Sequence, residues 1–237
     1  MRFNLLDFEV SEFQFEGRNI KLICPEKPIG KLAFKMEYWG AFPDAEAELI
    51  DRGYHLVHME NQGSRFLDRK DFDTKARLVK FLSEKYNLDG KCVPVGMSLG
   101  GAQAILFASF YPELVSCMFL DAPVIDYSSM RYITKDNSVW KNEVLKTFPK
   151  LRRYQAPGFE ENPVNRLKIV ADNKIPIFMS YGLEDATVPY TFNGALLEDA
   201  YAGTDLLTVY PIPYRGHHPH GLLYDSAEIV DFITKNS

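Results

Sequence analysis

Cys92-Val93-Pro94-Val95-Gly96-Met97-Ser98-Leu99-Gly100-Gly101 decides the fold. Cys92 to Val95 is a short apolar strand. A serine then sits between Gly96 and Gly100, and Gly101-Ala102-Gln103-Ala104-Ile105-Leu106 opens a helix. A strand, one very tight turn and a helix make a nucleophile elbow, which needs small flanking residues because its backbone is strained and its arms approach closely. The helix N-terminus also sets free N–H groups and partial positive charge beside Ser98, which favours an oxyanion. The competing reading is a glycine-rich turn with an incidental serine. From average residue usage, Gly-x-Ser-x-Gly arises by chance in roughly one chain in ten of this length, so residues elsewhere must supply partners for Ser98.

Outward from this stretch the chain alternates. Upstream, two extended segments between Phe8 and Cys24 flank a break at Glu16-Gly17-Arg18-Asn19, which predicts an antiparallel hairpin. A strand follows over 32–36, a helix over 44–52 with Asp44 as N-cap and Gly53 as its stop, a strand over 54–59 and a helix over 73–86. Around and beyond the elbow come a strand over 91–95, a helix over 101–111 and strands over 115–120, 175–181 and 206–212. Helices over 192–201 and 227–235 complete the pattern. Such alternation predicts an α/β fold with a mostly parallel sheet covered by helices on both faces. Pro94 and Pro176 inside proposed strands weaken those boundaries.

Residues 124–173 break the rhythm with Tyr127, Tyr132, Trp140, Phe148, Tyr154 and Phe159 among charges and prolines. They read either as an ordinary helical connection or as a small helical cap over the pocket, since insertions in α/β enzymes sit at the carboxyl ends of strands, where ligands bind.

A serine hydroxyl is a poor nucleophile near neutral pH, so a histidine must accept its proton and a carboxylate must orient that histidine. In this type of fold the chain order is serine, acid, histidine, each after a strand. Asp185 follows the strand 175–181 and is the expected acid, with Glu184 and Asp121 as alternatives. His217 follows the last strand and Gly216 and is the expected base, with His218 and His220 competing. The three histidines could instead bind a metal, but no companion group has ligand spacing, and none is expected. His55 and His58 lie within a strand and suit core or pocket-wall roles. For the oxyanion hole, Leu99 N–H is one expected donor. The loop Tyr38-Trp39-Gly40-Ala41-Phe42 supplies the other, from Ala41 or alternatively Trp39. Tyr38, Trp39 and Tyr127 are candidate pocket residues.

The 237 residues, 46% hydrophobic and 25% charged, fit one domain, 1–237, with one core. The 27 basic and 32 acidic residues give a net charge of −5 without long runs, so nucleic acid is not an expected partner. Acidic residues near the N-terminus interrupt any signal-peptide core, no apolar run reaches the ~20 residues of a membrane span, and Cys24, Cys92 and Cys117 lack Cys-x-x-Cys spacing. A soluble, reduced, cytoplasmic protein without membrane contact is the expectation.

Gly96-Met97-Ser98-Leu99-Gly100-Gly101, Gly182-x-x-Asp185-x-x-Val188-Pro189 and Gly216-His217 resemble the nucleophile, acid and base signatures of the α/β-hydrolase superfamily, from Leu32 to the C-terminus. Tyr38-Trp39-Gly40-Ala41-Phe42-Pro43, Leu120-Asp121-Ala122-Pro123 and Gly216-His217-His218-Pro219-His220-Gly221 are similar to a group of bacterial esterase-like hydrolases. The resemblance implies the α/β-hydrolase fold and hydrolysis of a small-molecule carboxylic ester through an acyl-enzyme, without a cofactor. Tyr38-Trp39-Gly40 departs from the His-Gly-Gly-Gly loop of lipases. The same machinery would serve an amide or peptide hydrolase or an acyltransferase, and a catalytically idle fold that binds a ligand is the alternative of another class.

Overall fold

Glu16 and Gly17, both at positive φ (49° and 76°), form the primed turn that suits a hairpin. They join β1 (Ser11–Phe15) and β2 (Arg18–Ile23) with Phe15 opposite Arg18. The protein, seen in a computed structural model, is described over residues 5–129, 140–217 and 226–237. After the hairpin come β3 (Lys31–Lys35), α1 (Asp44–Asp51), β4 (Tyr54–Met59), α2 (Arg69–Tyr86), β5 (Val93–Met97) and α3 (Leu99–Phe110). The chain continues through β6 (Met118–Asp121), α4 (Leu167–Asp172), β7 (Ile177–Gly182), α5 (Gly194–Ala200), β8 (Leu207–Ile212) and α6 (Ala227–Asn236).

The sheet order is β1-β2-β4-β3-β5-β6-β7-β8. β1 and β2 run antiparallel to their neighbours and all later pairs are parallel. From β3 the chain goes to β4 on one side and later returns to β5 on the other. This reversal opens a crevice at the carboxyl ends of β3 and β5, where open α/β sheets bind ligands. Strand alternation supplies both faces. Leu32 and Phe34 of β3 belong to the core cluster lined by α2, α3 and α4 on one side, while Ala33 belongs to the cluster lined by α1 and α6 on the other. The architecture is the α/β-hydrolase fold, a mostly parallel sheet with helices on both faces and a small helical insertion.

Two helix starts differ from the sequence reading. Asp44 is the first residue of α1, preceded by Pro43, and makes no capping bond. α2 begins at Arg69, ahead of 73, because Asp68 accepts from Lys70 N and Asp71 N while Asp71 returns a bond to Asp68 N, a capping box built from two aspartates. β5 runs two residues further along than 91–95 and keeps Pro94 inside it, whereas Pro176 precedes β7.

The described part of the insertion between β6 and β7 holds short helical turns, among them Trp140–Val144, Arg153–Gly158 and Pro163–Arg166. Asn162, fully buried, fastens it by accepting from Tyr127 N and donating to Asp126 and Ala156 O. Tyr132 lies outside the described residues. Among the described residues no helix is long and apolar enough to cross a membrane.

Candidate active site

Ser98 stands between β5 and α3 with φ 52° and ψ −118°, outside the basins that residues with a Cβ normally occupy. Its neighbours hold it there. Ser98 N donates to Asp121 O at 2.9 Å and Ser98 O accepts from Val124 N at 2.9 Å, which ties the elbow to the end of β6. A side chain at Gly96 would collide with the Gly100 carbonyl, so glycine is required there by close approach.

Ser98 Oγ lies 3.0 Å from His217 Nε2, and His217 Nδ1 lies 2.9 Å from Asp185 Oδ2. The other Asp185 oxygen, Oδ1, accepts from Thr187 N and Val188 N, each at 2.8 Å. These bonds fix the carboxylate so that one oxygen faces the imidazole. The loops carrying Asp185 and His217 are laced together as well, since Leu183 N donates to Ile212 O and Glu184 N to Arg215 O. Gly182 permits this, because a Cβ there would strike the Arg215 and Gly216 carbonyls. Glu184 is exposed. Asp121 is buried and accepts from Ser180 Oγ at 2.8 Å. His218 and His220 lie outside the described residues.

Tyr38, Gly40 and Phe42 all have positive φ, which coils the segment after β3 into a tight turn. Within it Ala41 N donates to Tyr38 O at 2.9 Å. Ala41 N–H, the expected second oxyanion donor, is therefore consumed by the turn. Among the described residues the N–H groups of Trp39 and Leu99 have no hydrogen-bond partner, so the alternative, Trp39, is the residue with a donor to offer. The Trp39 ring rests 5.8 Å from that of His58, and the Tyr38 hydroxyl accepts from Arg65 at 2.9 Å. Tyr127, the third pocket candidate, is buried in the core with its ring edge-on to Phe66. Its hydrophobic bulk is absorbed by packing.

Buried charges scaffold this turn, and the sequence reading missed them. Lys35 and Glu46 form an ion pair, each 1% exposed, and Lys35 Nζ also reaches Ala41 O at 3.1 Å. Glu37 accepts from Asn61 and Gln103. Arg65 pairs with Glu143 of the insertion. Glu37, Asn61, Arg65 and Glu143 border a polar cavity of about 470 Å³. Among the described residues no group of three or more His, Cys, Asp or Glu side chains could hold a metal ion.

His58, on the wall of that cavity, donates its Nδ1–H to Lys35 O at 2.9 Å. Burial pushes its pKa down to about 4, with the Lys35 carbonyl bond acting in the opposite sense. A histidine held neutral in the fold binds a proton more readily once unfolded, so its contribution is complete above about pH 6.5 and is lost as pH falls towards 4. The loss expected from this one residue is about 3 kcal/mol. Chemical unfolding of wild type and His58→Asn at pH 7 and pH 4.5 checks it. The wild type should lose more stability than the variant; equal losses would show that His58 is not held neutral.

The family model described as "Putative esterase" matches residues 42–206. The chain belongs to this esterase family. No curated protein matches it. Among solved structures, the Pyrococcus horikoshii acylaminoacyl peptidase superposes with a TM-score of 0.69 at 18% identity, covering 97% of this chain and 42% of its own. Porphyromonas gingivalis dipeptidyl peptidase 4 gives 0.72 at 15%, covering 100% and 36%. A Mycobacterium tuberculosis puromycin-hydrolyzing peptidase gives 0.70 at 15%, covering 94% and 38%. The chain thus spans about two-fifths of the length of these structures, and at such identity they attest to the fold.

Proposed function

We propose that this esterase-family chain hydrolyses carboxylic esters through an acyl-enzyme on Ser98. The observation that carries the reading is the continuous path from Ser98 Oγ to His217 Nε2 at 3.0 Å and from His217 Nδ1 to Asp185 Oδ2 at 2.9 Å. In the proposed reaction Ser98 Oγ attacks the acyl carbonyl as its proton passes to His217 Nε2, and the Asp185 carboxylate stabilises the imidazolium through Nδ1–H. The charge that develops on the carbonyl oxygen is received by the Leu99 and Trp39 N–H groups. His217 then returns the proton to the departing alcohol, and water activated by the same imidazole releases the acid. The chain works as a single domain, with residues 124–173 as a cap at the carboxyl end of β6.

Amide cleavage is the second reading. The solved structures named above are peptidases, and the machinery differs only in needing His217 to protonate an amine. Two measurements decide. A fluorophosphonate probe should modify Ser98 and no other residue; absence of label under conditions that label a control esterase would remove the reading. On matched acetyl ester and acetyl amide substrates, kcat/KM should favour the ester by far more than their difference in spontaneous hydrolysis. A preference for aminoacyl amides would assign the chain to peptide hydrolysis instead.

A further inference from the structure

Lys75 lies on α2 with no exposed surface, and among the described residues its ammonium has no hydrogen-bond partner. It sits 4.9 Å above the Phe34 ring of β3. A buried ammonium without a direct partner is costly and needs an opposing charge nearby. The charged groups acting on it are Glu37 beyond β3, Asp71 on its own helix and Arg18 of β2, while His58 of β4 is held neutral. Asp71 is already taken by an ion pair with Arg18, which leaves Glu37 as the counter-charge.

The partners of Glu37 all belong to segments that carry or brace the oxyanion donors. Tyr38 N, one residue before Trp39, points at Glu37 Oε1 at 3.4 Å. Gln103 Nε2 donates to Glu37 Oε2 at 2.8 Å and to Arg65 O at 2.9 Å. Gln103 lies four residues beyond Leu99, on the same face of α3. Asn61 Nδ2 adds a bond from the loop after β4, and the Arg65 guanidinium closes the ring by binding the Tyr38 hydroxyl at 2.9 Å.

We propose that Glu37 is a positioning residue: its carboxylate couples the turn that presents Trp39 N–H to the helix that presents Leu99 N–H, and buried Lys75 supplies the charge that holds it. The inference rests on the oxyanion assignment made above. Donors aimed at developing charge act only when their spacing is fixed before the reaction, and a loosened pair should weaken transition-state binding without altering ground-state binding.

The test measures kcat, KM for p-nitrophenyl acetate, the rate of fluorophosphonate modification at Ser98 and the melting temperature. Wild type, Glu37→Gln, Glu37→Gln/Lys75→Met and Gln103→Met are compared. Glu37→Gln should lower kcat and the modification rate by roughly 10- to 100-fold, less than outright removal of a donor, with KM within about twofold. It should also melt early, because Lys75 is left buried without its counter-charge. Removing that charge in Glu37→Gln/Lys75→Met should restore the melting temperature and leave kcat low, which separates positioning from folding. Gln103→Met buries no bare charge and should reproduce the kcat loss even if Glu37→Gln fails to fold. Wild-type kcat and modification rate in both the double variant and Gln103→Met would overturn the proposal. Failure of the wild type to take the label at Ser98 would instead remove the esterase reading beneath it.

Discussion

Asp185→Asn should lower kcat by about 10⁴-fold on an ester substrate, the loss expected when the base is held in the wrong tautomer, while the melting temperature stays close to wild type. The bonds around the carboxylate determine this. Oδ1 is occupied by two backbone donors, Thr187 N and Val188 N, each at 2.8 Å, and an asparagine oxygen satisfies both. Its NH₂ group must then replace Oδ2, 2.9 Å from His217 Nδ1. A donor in that position forces Nδ1 to accept, so the ring proton moves to Nε2, which faces Ser98 Oγ at 3.0 Å. The imidazole can no longer take the serine proton. The fold loses little, because the substitution keeps the volume and both backbone donors remain paired. Steady-state kinetics and a thermal melt on the purified variant check both halves. A loss under tenfold would mean that Asp185 does not orient the base and would return Asp121 or Glu184 to consideration.

Chain order singled out Ser98, Asp185 and His217, and the structure brings their side chains within hydrogen-bond reach of one another. Each follows an apolar strand, and strands are recognised from local pattern. The turn after β3 was harder to read because its geometry depends on positive φ at two residues other than glycine, Tyr38 and Phe42. Such backbone is imposed by surroundings, here the buried Lys35 beneath Ala41 O and the Arg65 bond to the Tyr38 hydroxyl, and nothing in Tyr38-Trp39-Gly40-Ala41 announces it. In that turn Ala41 N–H is taken up by Tyr38 O, which the local sequence does not foretell. Tyr127 is buried in the core, and an aromatic residue beside a pocket has the same local signature as one in the core. The Glu37 cluster joins residues 24 and 66 positions apart, beyond the reach of any periodicity. It did leave one trace. Lys75 falls three residues after Phe72 and four before Val79, on the apolar face of α2, where a lysine requires an explanation. The early start of α2 was likewise encoded in Asp68 and Asp71, an acidic variant of the capping box.

Ser98→Gly and Ser98→Ala should both lose ester hydrolysis by on the order of 10⁴- to 10⁶-fold, yet differ in stability in an unusual direction. Both remove Oγ and its bond to His217, so that term cancels between them. What differs is the Cβ, and it sits on a backbone at φ 52°, ψ −118°, a conformation that costs a residue with a Cβ about 1–3 kcal/mol and glycine almost nothing. Glycine gives back up to about 1 kcal/mol through the greater freedom of its unfolded chain. The glycine variant should therefore be the more stable by about 1 kcal/mol, or 2–4 °C in melting temperature for a chain of this size. At most other positions an alanine would melt higher than a glycine. The elbow's backbone bonds to Asp121 and Val124 and the close approach of Gly96 to Gly100 hold the strain in place, so it cannot relax when the side chain shrinks to alanine. If Ser98→Ala melts at or above Ser98→Gly, the elbow stores no strain at residue 98. If the glycine variant gains stability as it loses turnover, the strain at Ser98 is stability given up to hold the nucleophile above the sheet within reach of His217.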